Sequence, residues 1–340
     1  MKEAGDIRIG ISGWRYKGWR GVFYPKELPH KRELEYAAGI FRSVEINGTF
    51  YSLQRPESFA AWAAATPDDF VFAVKGPRFI THMKRLKDVE IPLANFLASG
   101  IFRLGKKLGP ILWQLPPHFR FDAKKLAAFF KLLPRNTEKA AEIARMHDKW
   151  LAQRADVQPT VNVPLRHALE IRHDTFRVPE FIELLRAHNI ALVCADTVEW
   201  PRLMDITSDF VYCRLHGSKI LYASGYGKKD LDVWAQRVAA WASGAEPANA
   251  ERVGDRPLPK QTVRDVYVYF DNDAKVRAPF DAQALIARVS ELPGQKMQPR
   301  PAEPLGKEMP ARTAIIRSGA RSRDQRGRLG ARESSKRSRR

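Results

Sequence analysis

Glu170 and Arg172 stand two positions apart in the run His-Ala-Leu-Glu-Ile-Arg-His-Asp, residues 167–174. On a strand that spacing puts both on one face and Leu169 and Ile171 on the other. An apolar strand that ends in a paired acid and base needs a polar interior at one end. The design recurs along the chain. Glu45 and Asn47, Lys75, Gln114, Asp196, Arg214 and His216, and Asp271 followed by Asn272 each close an apolar run, and the first run closes on Ser12 and Trp14. Three chemistries fit such a set. Glu45 and Glu170 can form an acid/base pair if their surroundings set their pKa values apart. Lys75 would then be an electrophile, a Schiff-base amine or an anion partner, with His216 and Asp271 as further catalytic candidates. Alternatively, Glu45, Glu170, Asp196, His216 and Asp271 can bind a divalent metal. A single inward histidine and three or more neighbouring cations weigh against that, so no cofactor is assigned. In the third reading the cations hold a phosphate or carboxylate. The substrate-binding candidates are Trp14, Asn47, Tyr51, Gln114, Arg172, Asp196, Arg214 and Asn272.

Strand-like segments must position these residues. They run over 7–14, 43–51, 70–75, 110–115, 168–172, 191–196, 210–216 and 266–271, short, rich in Val, Ile, Phe and Tyr, and bounded by turn residues. Helical patterns lie between them, over 31–41, 56–65, 95–107, 122–133, 137–154, 179–188, 230–242 and 281–292. Several open on Asp or Pro, as helix starts do. Eightfold alternation predicts an α/β protein with a parallel sheet. Eight repeats in roughly 290 residues fit a single (β/α)8 barrel of the TIM type better than an open sheet. No glycine fingerprint for dinucleotides follows the first strand. In a closed barrel the carboxyl ends of all strands converge on one mouth, which gathers the scattered charges into one site. A purely structural ion-pair network is the competing reading. Burying unpaired ions costs several kcal/mol each, so charge that converges argues for a functional pocket.

Two further features surround the mouth. Trp14, Tyr16, Trp19, Phe23 and Tyr24 crowd the loop after the first strand, and Phe50 and Tyr51 follow the second. They form either a stacking surface or, preferably, the small core of a lid. The segment from His216-Gly-Ser-Lys219 to Gly225-Tyr-Gly-Lys-Lys229 precedes a helix, a place where barrels seat phosphate. A surface lysine cluster is the bland alternative. His82 and His173 are candidate proton shuttles or ordinary loop residues. By strand parity Cys194 shares a face with Asp196 while Cys213 sits opposite Arg214, which predicts two buried free thiols on different faces.

Composition limits the function classes. The net charge is +20, but residues 294–340 hold 14 Lys and Arg against four acidic residues, half of that excess. That stretch has no aromatic residue and reads as a disordered basic tail, following a barrel domain over 1–293. The tail admits non-specific nucleic-acid contact. No apolar run approaches a membrane span and no apolar signal region precedes the first strand, so a cytoplasmic location is expected.

The motifs also look familiar as a set. Gly13-Trp14, Trp19 and Phe23-Tyr24-Pro25 are followed by Glu45-Ile-Asn47 with Thr49-Phe50-Tyr51. Phe72, Lys75, Arg78 and Ile80-Thr81-His82 come next, then Gly109-Pro110 and Gln114-Leu115-Pro116-Pro117. Glu170 with Arg172-His173, Arg214 with His216-Gly217, and Tyr269-Phe270 with Asn272-Asp273 complete the series. In this order, across roughly 7–292, the chain resembles domain-of-unknown-function family 72. The resemblance implies a TIM-type barrel and no established reaction. Asp271 departs from a family pattern that more often has Asn there, which gives this mouth an extra carboxylate. The expected function is an enzyme acting on a small polar or anionic substrate at the mouth, by hydrolase or lyase/isomerase-type acid–base chemistry. The alternatives are a nucleic-acid-associated binding protein and a non-catalytic ligand sensor.

Overall fold

Eight parallel strands close into a barrel in chain order. They are β1 (Ile7–Ser12), β2 (Ser43–Ile46), β3 (Val71–Lys75), β4 (Leu108–Gln114), β5 (His167–Glu170), β6 (Ile190–Asp196), β7 (Phe210–Leu215) and β8 (Asp265–Phe270). Gly10 of β1 faces Ser43 on one side and Tyr269 on the other, which closes the ring. The protein is thus a (β/α)8 barrel. This computed structural model describes residues 4–254 and 263–294. Beyond Gly294 the expected basic tail lies outside the described residues.

The interior is filled by unequal partners. Ala73, Leu112, Ala168, Ala191, Val193 and Ala195 on β3 to β6 make room for Phe210, Tyr212, Tyr267 and Tyr269 on β7 and β8. The Tyr269 and Ser43 hydroxyls meet at 2.6 Å, and Ser43 Oγ donates to the Val71 carbonyl. The barrel interior is therefore packed beneath the charged groups at its carboxyl end. Helices Glu33–Ile40, Pro56–Ala64, Glu90–Leu97, Ala123–Leu132, Thr137–Ala144, Pro179–Ala187, Lys228–Ala242 and Ala278–Ser290 lie outside. Asp122 and Asn136 cap two of them by accepting from the Lys125 and Lys139 N–H groups. None of the described helices is long and apolar enough to cross a membrane.

Some elements differ from their sequence expectations, each for a local reason. The helix expected over 95–107 breaks at Gly100, which has φ +111° and backs so closely on Pro56 that a Cβ would lie 2.4 Å from its Cα. A helix ends before it at Leu97 and a 3-10 segment, Ile101–Lys107, follows. The helix expected over 137–154 stops at Ala144, and shortly beyond it Asp148 and Asn95 bind reciprocally through backbone and side chain. The second strand stops at Ile46 because Asn47-Gly48 turns into a single helical turn, Gly48–Tyr51. The first stops at Ser12, where Gly13 takes φ +82° and donates its N–H to the Glu45 carbonyl.

On β6 the expected parity was reversed. Both faces of this strand are buried, so alternation carries no signal there. Ala191, Val193 and Ala195 point into the barrel, which leaves Leu192, Cys194 and Asp196 facing the helices. Cys194 and Cys213 are consequently register neighbours on the same outer face, not residues of opposite faces. Both are free and buried.

Candidate active site

One arginine organises the mouth. Arg214, fully buried on β7, donates from Nε to Glu45 Oε2 at 3.1 Å and from Nη1 to Glu170 Oε2 at 2.7 Å. Its Nη2 reaches Ser12 Oγ at 3.0 Å, Glu45 Oε1 at 2.9 Å and Asp271 Oδ2 at 2.8 Å. Glu45 accepts two more hydrogen bonds, from Ser12 Oγ at 2.5 Å and Tyr212 Oη at 2.6 Å. Asn47 Nδ2 donates to Ser12 Oγ. Glu170 is shared with Arg172, whose Nη2 lies 2.6 Å from Oε1.

These contacts keep the network ionised. Burial pulls the Glu170 carboxyl up, yet Arg172 and Arg214 hold it well below the usual carboxylate range. Asp271 behaves alike: burial opposes its charge and Arg214 overrides it. Burial also works against the Arg214 cation, and Asp271, Glu45 and Glu170 keep it charged well above its ordinary value. A guanidinium thus occupies the point between three carboxylates where a metal ion would have to bind. Among the described residues no three His, Cys, Asp or Glu side chains are arranged as a metal site.

Above this floor lie groups with spare chemical capacity. Lys75 is 7% exposed, and its Nζ stands 4.3 Å from the Phe50 ring centre. Among the described residues its ammonium has no hydrogen-bond or ion-pair partner. Burial pushes its ammonium down to about 8, Arg214 adds to the push, and Glu45, Asp271 and Glu170 resist it. Arg172 lies 4.1 Å over the Trp200 ring. His216, fully buried, stands edge-on to Trp200 and Tyr222. Its Nδ1 is 3.1 Å from Asp271 Oδ2 and its Nε2 is 3.8 Å from Glu170 Oε2, and neither contact has hydrogen-bond geometry. His82 is pulled down to about 4, first by burial and then by Arg172 and Lys75, so it is neutral at physiological pH. Its Nδ1 is 2.8 Å from Thr81 Oγ1. Burial and the nearby Asp271 lift the Asp273 carboxyl to about 6.

A sequence profile described as "Protein of unknown function DUF72" matches residues 8–305. The chain belongs to the DUF72 family. The match runs past residue 292, where the motif resemblance ended. UPF0759 protein YecE of Escherichia coli K12 is 32% identical over 127 residues, 37% of this chain and 43% of its own. UPF0759 protein YunF of Bacillus subtilis 168 is 28% identical over 130 residues, 35% of this chain and 42% of its own. The chain thus spans less than half the length of these curated relatives. Among solved structures, a DUF72 protein of Thermotoga maritima is 25% identical with a TM-score of 0.62, covering 84% of this chain and 100% of the other. An Enterococcus faecalis DUF72 protein, 17% identical with a TM-score of 0.59 over 84% of this chain and 95% of its own, shares the fold.

In this DUF72 chain Glu45, Lys75, Glu170, Arg172, Arg214, His216 and Asp271 converge as their strand positions implied. Asn47 joins them through Ser12. Gln114 is buried beside Glu170 in register, and Tyr51 is exposed on the short helix after β2. Three candidates do not reach the mouth. Asp196 faces outward, where it accepts from Arg202 at 2.7 Å and from Trp234 Nε1 at 3.2 Å, because β6 has the reversed parity. Its place among the metal-binding candidates falls with that. Trp14, turned aside by Gly13, packs edge-on to Trp62 in the outer core. Asn272 donates to the Ser224 carbonyl and to Asp281, tying a loop to the last helix. His173 accepts from the Thr175 N–H and opens a 3-10 turn. The aromatic loop after β1 is largely its own core, with Trp19, Phe23 and Tyr24 mutually packed and buried. Two residues of the site lie outside the sequence candidates. Tyr212 was findable, two positions before Arg214 on the same strand face. Trp200 had no signal, since it lies in the irregular segment between β6 and β7.

Proposed function

We propose that this DUF72 protein is an acid–base enzyme acting on a small polar or anionic substrate at the carboxyl-end mouth of its barrel. Lys75 gives and takes the proton, and Arg172 holds the anionic part of the substrate. One observation carries this reading: a buried lysine ammonium with no bonded partner among the described residues, set beside an already saturated ion network. A lysine that served only the fold would be paired, because an unpaired buried charge is costly. Glu45 and Glu170 are bound by arginine, so they act as a fixed electrostatic floor and not as free bases. As the neutral amine, Lys75 can remove a proton from carbon next to a carbonyl, becoming ammonium, and return it to a neighbouring atom of the same substrate. The enolate charge that forms between the two steps faces Arg172 and Lys75.

Competitive acetylation of the lysines across pH, read by peptide mass spectrometry, tests the central group. Lys75 is expected to gain reactivity with a midpoint near 8. A midpoint in the ordinary lysine range would refute its role as the base. Metabolite screening by thermal shift, followed by turnover assays, then separates enzyme from sensor. In Lys75→Met an enzyme loses turnover on its ligand while binding persists.

A further inference from the structure

A second concave region lies outside the barrel. It is a cleft of about 500 Å³ against the outer side of the β6 and β7 ends, bounded by the helix Lys228–Ala242. Its carboxylates are already engaged. Asp196 is bound by Arg202 and Trp234, and Glu251 accepts from Arg202 Nε at 3.0 Å. Asp230 accepts from the Gly227 N–H at 3.1 Å, so the helix start, where a phosphate seat was expected, is capped by its own side chain. Arg177, also on the cleft wall, is paired with Asp174.

Two donors on the same wall are left over. Arg237 is 8% exposed, yet among the described residues its guanidinium has no carboxylate or carbonyl partner. It lies 4.9 Å over the Trp234 ring, and its Nε is buried without an acceptor. Trp200 is 9% exposed and its Nε1 is likewise buried without an acceptor. An N–H buried without an acceptor has lost its hydration and received little in return. Two such donors on the wall of one cleft suit a negatively charged hydrogen-bond acceptor. We propose that this cleft binds a small ligand through a carboxylate or phosphate group, with Arg237 as its ionic partner and Trp200 as a second donor. The site is separate from the mouth. Trp200 is the wall between them, with Arg172 stacked on its ring and His216 at its edge.

Calorimetric titration with inorganic phosphate and, in a parallel arm, acetate tests this at constant ionic strength. The Trp200 indole N–H signal in a nitrogen-correlated NMR spectrum reports the location. At least one anion is expected to bind saturably and to shift that signal, and the arm that responds names the ligand group. Arg237→Gln should weaken binding roughly ten- to hundred-fold, the value of a charge-assisted hydrogen bond. Arg172→Gln, which removes the anion partner of the mouth, shows whether the bound anion sits there instead. If Arg237→Gln does not fold, Arg237→Lys, which keeps the charge but not the planar fork, and Trp200→Phe, which keeps the ring but not the donor, should each weaken binding. Saturable binding of neither anion overturns the proposal. So does affinity retained in Arg237→Gln, or in both substitute variants, and lost in Arg172→Gln, which would assign the anion to the mouth.

Discussion

Arg214→Met should lower stability at neutral pH by at least about 3–5 kcal/mol, the cost of breaking a buried ion pair from one side. That corresponds to a fall in Tm on the order of 10 °C. The reason is the number of partners. Methionine fills much of the space but leaves Glu45, Glu170 and Asp271 buried together without their shared cation. The loss should depend on pH with a definite sign. In the native protein Glu170 and Asp271 titrate below their ordinary values, so their contribution is complete above about pH 4 and is lost as pH falls through their lower folded values. Without Arg214 the same burial raises the Asp271 carboxyl, while Arg172 still holds Glu170 down. Asp271 then protonates on mild acidification, which relieves the variant first. The gap between variant and native protein should therefore be widest near neutrality and narrow towards about pH 5. Denaturant melts of both proteins at these two pH values measure it. A gap that does not change with pH would mean that packing, not charge, underlies the loss.

Lys75→Met should do the opposite. The ammonium titrates at about 8 in the folded chain against an ordinary 10.5. Between those values the unfolded chain binds more protons, so native stability rises with pH across that window. Below about pH 8 the penalty is present in full. At about 1.4 kcal/mol per unit it amounts to about 3 kcal/mol. Methionine is of similar length and carries no charge, so the variant should be more stable than the native protein at neutral pH by up to that amount. Its advantage should fade above about pH 10, where the native lysine is neutral in both states. Thermal melts near neutrality and near pH 10 give the comparison. A variant less stable at neutral pH would make Lys75 a structural anchor. A residue whose removal strengthens the fold while turnover disappears is held for function.

The barrel was legible because eight short strands alternate with helical patterns, and because the runs that form β2, β3, β5, β7 and β8 each reach an inward charge at the carboxyl end. Glu45, Lys75, Glu170, Arg214 and Asp271 could therefore be placed on one mouth from parity alone. Parity failed where its physical basis is missing. On β6 both faces are buried, and the small residues needed inside beside the tyrosines turn Asp196 outward, against the expected inward charge. Past Gly13 and Asn47 the chain leaves the strand, so side-chain direction no longer follows a count of two, and Trp14 turned outward. The central place of Arg214 was not legible at all. It depends on distances across the barrel between residues far apart in the chain. Nor was the outer cleft, since an unpaired Arg237 is indistinguishable in sequence from a surface arginine.

The spread of the Arg214 network around the ring bears on how the molecule assembles and comes apart. Ser12 and Glu45 belong to the first half of the barrel, while Glu170, Arg214 and Asp271 belong to the second. Glu45 and Arg214 are 169 positions apart, and Ser12 and Arg214 are 202 apart. The arginine that binds Glu45 comes from the other half, so the halves are not separable modules. Contacts that wait for the ring to close come late in folding, after the entropy of long loops has been overcome. Interactions absent from the folding transition state act on the unfolding rate. The network is thus a kinetic lock, which slows the opening of a finished barrel and does nothing to hasten its assembly.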